Sequence, residues 1–260
     1  MNEGPPSMPA LVGVINLSPE SPNADSVAQG VEPVLRKAAA YRGLGARYVE
    51  IGARSTAADA PVVDEGEEQR RLLPALAALK GAGFRVSVDT WSAQTAARAV
   101  EGGADLLNFL GTDFSAELRG ALAGSSADFV TAYMPYGDPY RMREAPEPIG
   151  SIEGMLAHFH ASMAALGLPR ERVVVDPNIG VLHPKLRADR MAAIRYRMHV
   201  LHALPRLRAP GWRVMVDHTR RDGELSRVVW AACLLEVGPE FIRTHDAEVF
   251  AELLGRAVGY

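Results

Sequence analysis

Residues 85–110 read RVSVDTWSAQTAARAVEGGADLLNFL. The run 85–89 is short, β-branched and closed by a carboxylate, which predicts a buried strand. Residues 93–102 form an Ala- and Arg-rich amphipathic stretch, which predicts a helix. The Gly-Gly pair inside E-G-G-A-D reads as a helix end whose glycine adopts the left-handed conformation and turns the chain back. Residues 105–110 then supply a second strand, so the segment is one strand–helix–strand unit.

The same rhythm extends in both directions. Further strands are expected at 11–17, 47–52, 128–134, 172–176, 212–217 and 240–245, with helices at 31–44, 67–82, 154–166, 189–204, 225–237 and 247–258. G-L-G-A, G-A-G-F and E-V-G-P-E repeat the glycine stop. Eight units leave about 32 residues each, close to the roughly 30 of one βα repeat. The expected fold class is therefore α/β, a single (β/α)8 TIM barrel occupying residues 1–260 as one domain. A doubly wound sheet is the alternative, but it more often carries a Gly-rich first turn, and no G-x-G-x-x-G follows the first strand.

Composition narrows the function. Lys+Arg total 28 against 31 Asp+Glu, so no basic excess exists to neutralise a phosphate backbone, and nucleic acid is not an expected partner. A small anion needs only a local Arg cluster. The lone Cys233 excludes an internal disulfide and a multi-thiolate zinc site. With no signal-peptide layout and no apolar run of membrane-spanning length, a soluble cytoplasmic protein is expected, with no membrane partner. No Ser stands in a nucleophile elbow, Cys233 lies inside an Ala/Leu run, and His199 and His202 read as surface. Covalent catalysis by a protein nucleophile is disfavoured.

A barrel delivers its chemistry at the C-terminal ends of its strands. Here those ends carry Asn16, Thr56, Asp89, Asn108, Asp176, Asp217-His218, Arg220-Arg221 and Arg243-x-His245. Helix capping explains any one Asp or Asn about equally well. It explains the set less well, because Asp89 and Asn108 precede their helices by several residues. Asp89, Asn108 and Asp176 suit a flat, nitrogen-rich heterocycle, since a carboxylate pairs bidentately with two adjacent N–H groups. Asn16, Thr56, Arg220, Arg221, Arg243 and His245 suit an oxyanion.

These residues carry a resemblance to the dihydropteroate synthase family of pterin-binding barrels. V-G-V-I-N-L-S-P-E-S (12–21), E-I-G-A-R-S-T (50–56), S-V-D-T (87–90), Asn108, the loop 134–146, V-D-P-N-I-G (175–180) and I-R-T-H-D (242–246) resemble that family's successive signatures, in order. The resemblance implies a dimeric transferase that joins 6-hydroxymethyl-dihydropterin pyrophosphate to p-aminobenzoate. It implies that Asp89, Asn108 and Asp176 hold the pterin. Arg243, His245 and Asn16 would hold the pyrophosphate, Asn16 also placing Mg²⁺, the implied cofactor. Asn16, Arg221, Arg243 and His245 are thus the candidate catalytic residues. Thr56, Asp89, Asn108, Asp176, Arg221, Arg243 and His245 are the candidate binding residues.

The chain also departs from the pattern. Thr219-Arg220-Arg221 replaces S-R-K, and the family's Gly-Phe-Gly-Lys is lost after Gly180. Loop one has Pro22-Asn23-Ala24 without an aromatic. Loop two has Ala57-Ala58-Asp59 without R-P-G, and Arg54 stands where Glu is usual. The pterin side is expected to be retained and the amine-acceptor side rebuilt, so the acceptor is p-aminobenzoate or an altered amine. Two alternatives stand beside this reading: a non-catalytic pterin-binding homologue, and a methyl-pterin methyltransferase module serving a corrinoid partner.

Overall fold

The computed structural model describes residues 8–21, 23–57, 59–148, 150–219 and 224–255. Eight parallel strands close into a barrel in sequence order: β1 (Ala10–Asn16), β2 (Tyr48–Gly52), β3 (Val86–Thr90), β4 (Leu106–Phe109), β5 (Asp128–Ala132), β6 (Val173–Asp176), β7 (Arg213–His218) and β8 (Phe241–Thr244). Closure comes from β8 pairing with β1, with Val12 opposite Arg243. The helices are α1 (Val31–Gly43), α2 (Glu65–Gly81), α3 (Ala93–Glu101), α4 (Ala116–Ala123), α5 (Pro139–Glu144), α6 (Ile152–Leu166), α7 (Pro184–Ala188), α8 (Arg190–His202), α9 (Leu204–Arg208), α10 (Glu224–Val237) and α11 (Ala247–Leu253). This is the expected (β/α)8 barrel. No described helix is long and apolar enough to cross a membrane.

The strands owe their continuous apolar runs to burial on both faces. Outward side chains such as Ile51, Val88, Leu107 and Phe109 pack with Leu72, Leu76, Leu79 and Ala96 of the surrounding helices. Inward, Val12, Tyr48, Leu106, Val130, Val174, Met215 and Phe241 meet as a plug near the strand beginnings. Each fully buried side chain of this kind contributes roughly 1.5–3 kcal/mol relative to exposure.

Strand periodicity of two then decides where the polar groups lie. Two residues beyond the plug come Glu50 after Tyr48, Asn108 after Leu106, Asp176 after Val174, Asp217 after Met215 and Arg243 after Phe241. The same spacing that fills the barrel with apolar side chains lays a polar tier on top of them. Helix ends are capped by other residues, Asp64, Ser92, Ser115, Asp138, Ser151 and Asp189, each accepting a first-turn N–H. Asp89, Asn108, Asp176 and Asp217 cap no described helix. The glycine stops are also as read, with φ of 88° at Gly45, 73° at Gly83, 88° at Gly103 and 55° at Gly238.

Candidate active site

Register places the polar tier as a ring. Asp89 pairs with Asn108 across β3 and β4, and Asp217 pairs with Arg243 across β7 and β8. Arg243 reaches into the middle and ties the ring together. Its Nε donates to Glu50 Oε1 at 2.5 Å, one terminal nitrogen to Asp89 Oδ2 at 2.8 Å and the other to Asp217 Oδ1 at 3.2 Å. Glu50, fully buried, also accepts from Ser87 Oγ at 2.8 Å and from Asn108 Nδ2 at 3.4 Å.

Four carboxylates (Glu50, Asp89, Asp176, Asp217) therefore surround one guanidinium. Burial pushes Asp89 up to about 7, with Glu50 and Asp217 adding to the rise and Arg243 opposing it. Asp176 is also driven well above the usual carboxylate range, first by burial and then by the Asp217 charge. Arg243 stays firmly cationic, because the attraction of Glu50, Asp217 and Asp89 outweighs its desolvation.

The hydrogen bonds leave a one-sided surface. Asp89 Oδ1 and Asn108 Oδ1 are buried with no hydrogen-bond partner among the described residues. Asp176 Oδ1 accepts from the Asn178 N–H at 2.7 Å, and its other oxygen takes no bond from a described residue. The second oxygen of Asp217 is likewise uncommitted among the described residues. The donors on this floor, Arg243 and Asn108 Nδ2, already face protein carboxylates. The floor can accept several N–H groups from a ligand. Unpaired buried acceptors are costly, so such a ligand relieves a standing penalty.

One pocket gathers Asn16, Thr56, Asp89, Asn108, Asp176, Arg243 and His245, seven of the eight candidate residues. Arg221, with Arg220, lies outside the described residues. Beside the floor, Asn16 Nδ2 donates to Ser21 Oγ at 2.9 Å and Ser26 Oγ at 2.6 Å, which leaves its carbonyl oxygen as a hard acceptor. His245 lies 3.4 Å from Asn23 Nδ2. Arg187, exposed on α7, lines the pocket without an ion pair to a described residue. Among the described residues, no group of three or more His, Cys, Asp or Glu side chains is placed to hold a metal ion by itself.

Arg243 is grouped with the anion-binding residues in the sequence; in the structure its three partners are carboxylates of the ring floor. Arg54 is committed too. It pairs with Glu68 of α2 at 2.9 Å, the side chains 8% and 0% exposed, and its guanidinium stacks on Trp91. Glu68 accepts further from Thr90 and Thr95 hydroxyls at 2.7 and 2.8 Å. Glu50 and Asp217 have no role in the strand-end pattern or in the family resemblance. The signal for both was present, a lone carboxylate breaking an apolar strand two residues beyond a plug residue.

The wall formed by loop two is fastened from α5. Arg143 donates to the carbonyls of Ala60 and Ser55, both at 2.9 Å, and stacks on Tyr140. The Tyr140 hydroxyl accepts from the Val63 N–H at 3.0 Å, and its ring meets Trp91 edge-on. From the other side Arg71 bridges Glu20 of loop one and the Ala53 carbonyl.

The sequence matches the family of pterin binding enzymes over residues 12–245. The chain belongs to that family. A curated relative, the dihydropteroate synthase type-2 of Escherichia coli, is 29% identical over 248 residues, covering 91% of this chain and 90% of that protein. The dihydropteroate synthase of Yersinia pestis, solved as a sulfonamide drug complex, superposes with a TM-score of 0.78 at 22% identity over 96% of this chain and 92% of that one. That of Thermus thermophilus, solved in complex with 6HMPPP, has a TM-score of 0.71 at 26% identity with the same coverages.

Proposed function

We propose that the protein is a dihydropteroate synthase-like transferase, joining 6-hydroxymethyl-dihydropterin pyrophosphate to an amine with loss of pyrophosphate. The observation that carries the reading is the acceptor-only floor. The 2-amino-4-oxo-dihydropterin ring presents its 2-amino group and N3–H side by side, and the family resemblance assigns both to Asp176, which lines the pocket. Asp89 Oδ1 and Asn108 Oδ1 serve the remaining ring N–H edge. Family membership and the dihydropteroate synthase names of the relatives support the same substrate.

The reaction needs no protein nucleophile. The bond from the ring methylene to the pyrophosphate oxygen breaks with its electron pair going to oxygen, and the ring nitrogens share the resulting positive charge. The amine nitrogen then bonds to the methylene and sheds a proton to solvent at the open mouth. Asn16, Thr56, His245 and Arg187 border the place where the leaving charge collects. With its Nδ2 committed to Ser21 and Ser26, Asn16 would offer its carbonyl oxygen to Mg²⁺, a hard cation that takes oxygen ligands. When bound it neutralises the departing pyrophosphate. Among the described residues the pocket lining, which includes Asn23, Thr56 and Ala57, holds no Phe, Tyr or Trp, which favours an amine other than p-aminobenzoate. A homodimer in the cytoplasm completes the reading; the exposed Met191 and Ile194 on α8 are apolar surface available to a second copy.

The test is incubation with the pterin pyrophosphate, Mg²⁺ and p-aminobenzoate, following pyrophosphate release and dihydropteroate separately. Release in excess of dihydropteroate is expected. Absence of both release and pterin binding would sink the proposal in favour of a non-catalytic homologue.

A further inference from the structure

Asp217 is, with Glu50, one of two carboxylates of the ring floor that the family resemblance leaves without a role, and of the two it is the one that lines the pocket. It sits at the end of β7, its side chain 7% exposed, with one oxygen on Arg243 and the other uncommitted among the described residues. The loop after β6 is shaped around it. A Cβ on Gly180 would stand 2.8 Å from Asp217 Cγ and closer still to Oδ2, so only glycine leaves room for this carboxylate. Glycine at 180 and aspartate at 217 are thus a matched pair, and both line the pocket.

Charge gives the pair its meaning. One carboxylate, Glu50, is enough to balance the charge of Arg243, and Asp217 is an ion-paired carboxylate beyond that balance. A buried excess of this kind is unfavourable toward a neutral ligand and favourable toward a positive one. The transfer reaction creates such a charge: as pyrophosphate leaves the methylene with the bonding pair, the ring becomes a cation. We propose that Asp217 is a further residue of this transfer, its charge held against the ring to stabilise the cation formed when pyrophosphate departs. The proposal rests on the transferase reading and adds to it a residue whose effect is concentrated in the transition state.

The test is Asp217→Asn, which keeps the shape and can still accept from Arg243 through its amide oxygen. Pyrophosphate release in the presence of amine should fall about tenfold to a hundredfold. The Kd for unreactive 6-hydroxymethyl-dihydropterin should stay within about threefold, because the ground-state ring is neutral. Unchanged release, or equal losses in release and in Kd, would overturn the proposal. A second measurement needs no variant: wild-type protein should bind 2,4-diaminopteridine, protonated and cationic, about tenfold more tightly at a pH below that ring's pKa than well above it, after correction for the same change with a ring that does not titrate. No such preference also overturns it. Wild-type protein that releases no pyrophosphate overturns the transferase reading and this proposal together; wild-type release that Asp217→Asn matches overturns this proposal alone.

Discussion

Removing the Arg243 guanidinium should damage the fold before it damages any ligand. In Arg243→Ala, Glu50, Asp89 and Asp217 keep their positions and lose the cation that binds all three. Glu50 is fully buried and cannot turn to solvent. Breaking a buried ion pair from one side costs about 3–5 kcal/mol. For a chain of this length about 2 °C of Tm accompanies each kcal/mol, so the melting temperature should fall by roughly 6–10 °C near pH 8. The loss should depend on pH in a definite sense. Asp89 already titrates near 7 with Arg243 beside it, and without that charge its folded-state value rises further. A carboxyl whose folded value lies above its unfolded value contributes its stability at low pH and loses it as pH rises through the folded value. Acidification from pH 8 to pH 5 should therefore close much of the gap to wild type. Thermal melts by circular dichroism at the two pH values make the measurement. A variant that melts within about 2 °C of wild type at pH 8 would refute the three-way anchoring and return Arg243 to ligand binding alone.

Other consequences are equally direct. Asp176→Asn should cost about 2–5 kcal/mol of pterin binding by calorimetry, with Tm little changed because the amide oxygen can still accept from the Asn178 N–H; unchanged affinity would remove Asp176 from the site. Because burial raises Asp89 to about 7, pterin binding that takes Asp89 as a carboxylate should release protons near pH 6.5 and strengthen from pH 6 to pH 8, which calorimetry in two buffers of different ionisation enthalpy reads out. Gly180→Ala should destabilise by about 1–3 kcal/mol in denaturant melts, and distinctly less in an Asp217→Ala background, since the overpacked atoms belong to Asp217. p-Aminobenzoate should be a poor acceptor and sulfonamides weak inhibitors; dihydropteroate formation with ordinary sulfonamide sensitivity would contradict the rebuilt acceptor wall.

The barrel was legible because doubly buried parallel strands leave unbroken apolar runs, and all eight observed strands fall inside or within one residue of the stretches read from sequence. What escaped were the short helices α4, α5, α7 and α9. Three of them begin with a proline at the first or second helical position, Pro139, Pro184 and Pro205, and a proline read without its neighbours looks like a break rather than a start. Residue types in the site were readable from strand ends, but their partners were not. Arg243 and His245 look alike in an anion-binding motif until closure of the barrel turns carboxylates of β2, β3 and β7 toward Arg243 of β8. Arg54 looks like a plain loss of the usual Glu until α2 supplies Glu68 to meet it. Such pairings depend on register and on contacts far apart in sequence, which local pattern does not encode.

The fastening of loop two by Arg143 and Tyr140 bears on how the protein could acquire or change its acceptor. Because carbonyls 55 and 60 and the amide of 63 are already bonded to α5, the ordering entropy of that wall is incurred during folding rather than at each encounter. On the proposed transfer the acceptor would meet a template, and discrimination between amines would take place by exclusion on arrival, without a closure step to slow association. Preference can then shift in two ways: by altering residues that touch the amine, or by loosening α5, which lets the same wall accommodate larger acceptors. Arg143 and Tyr140, neither of which borders the pterin pocket, become the positions at which substrate scope is adjustable while the ring chemistry stays untouched.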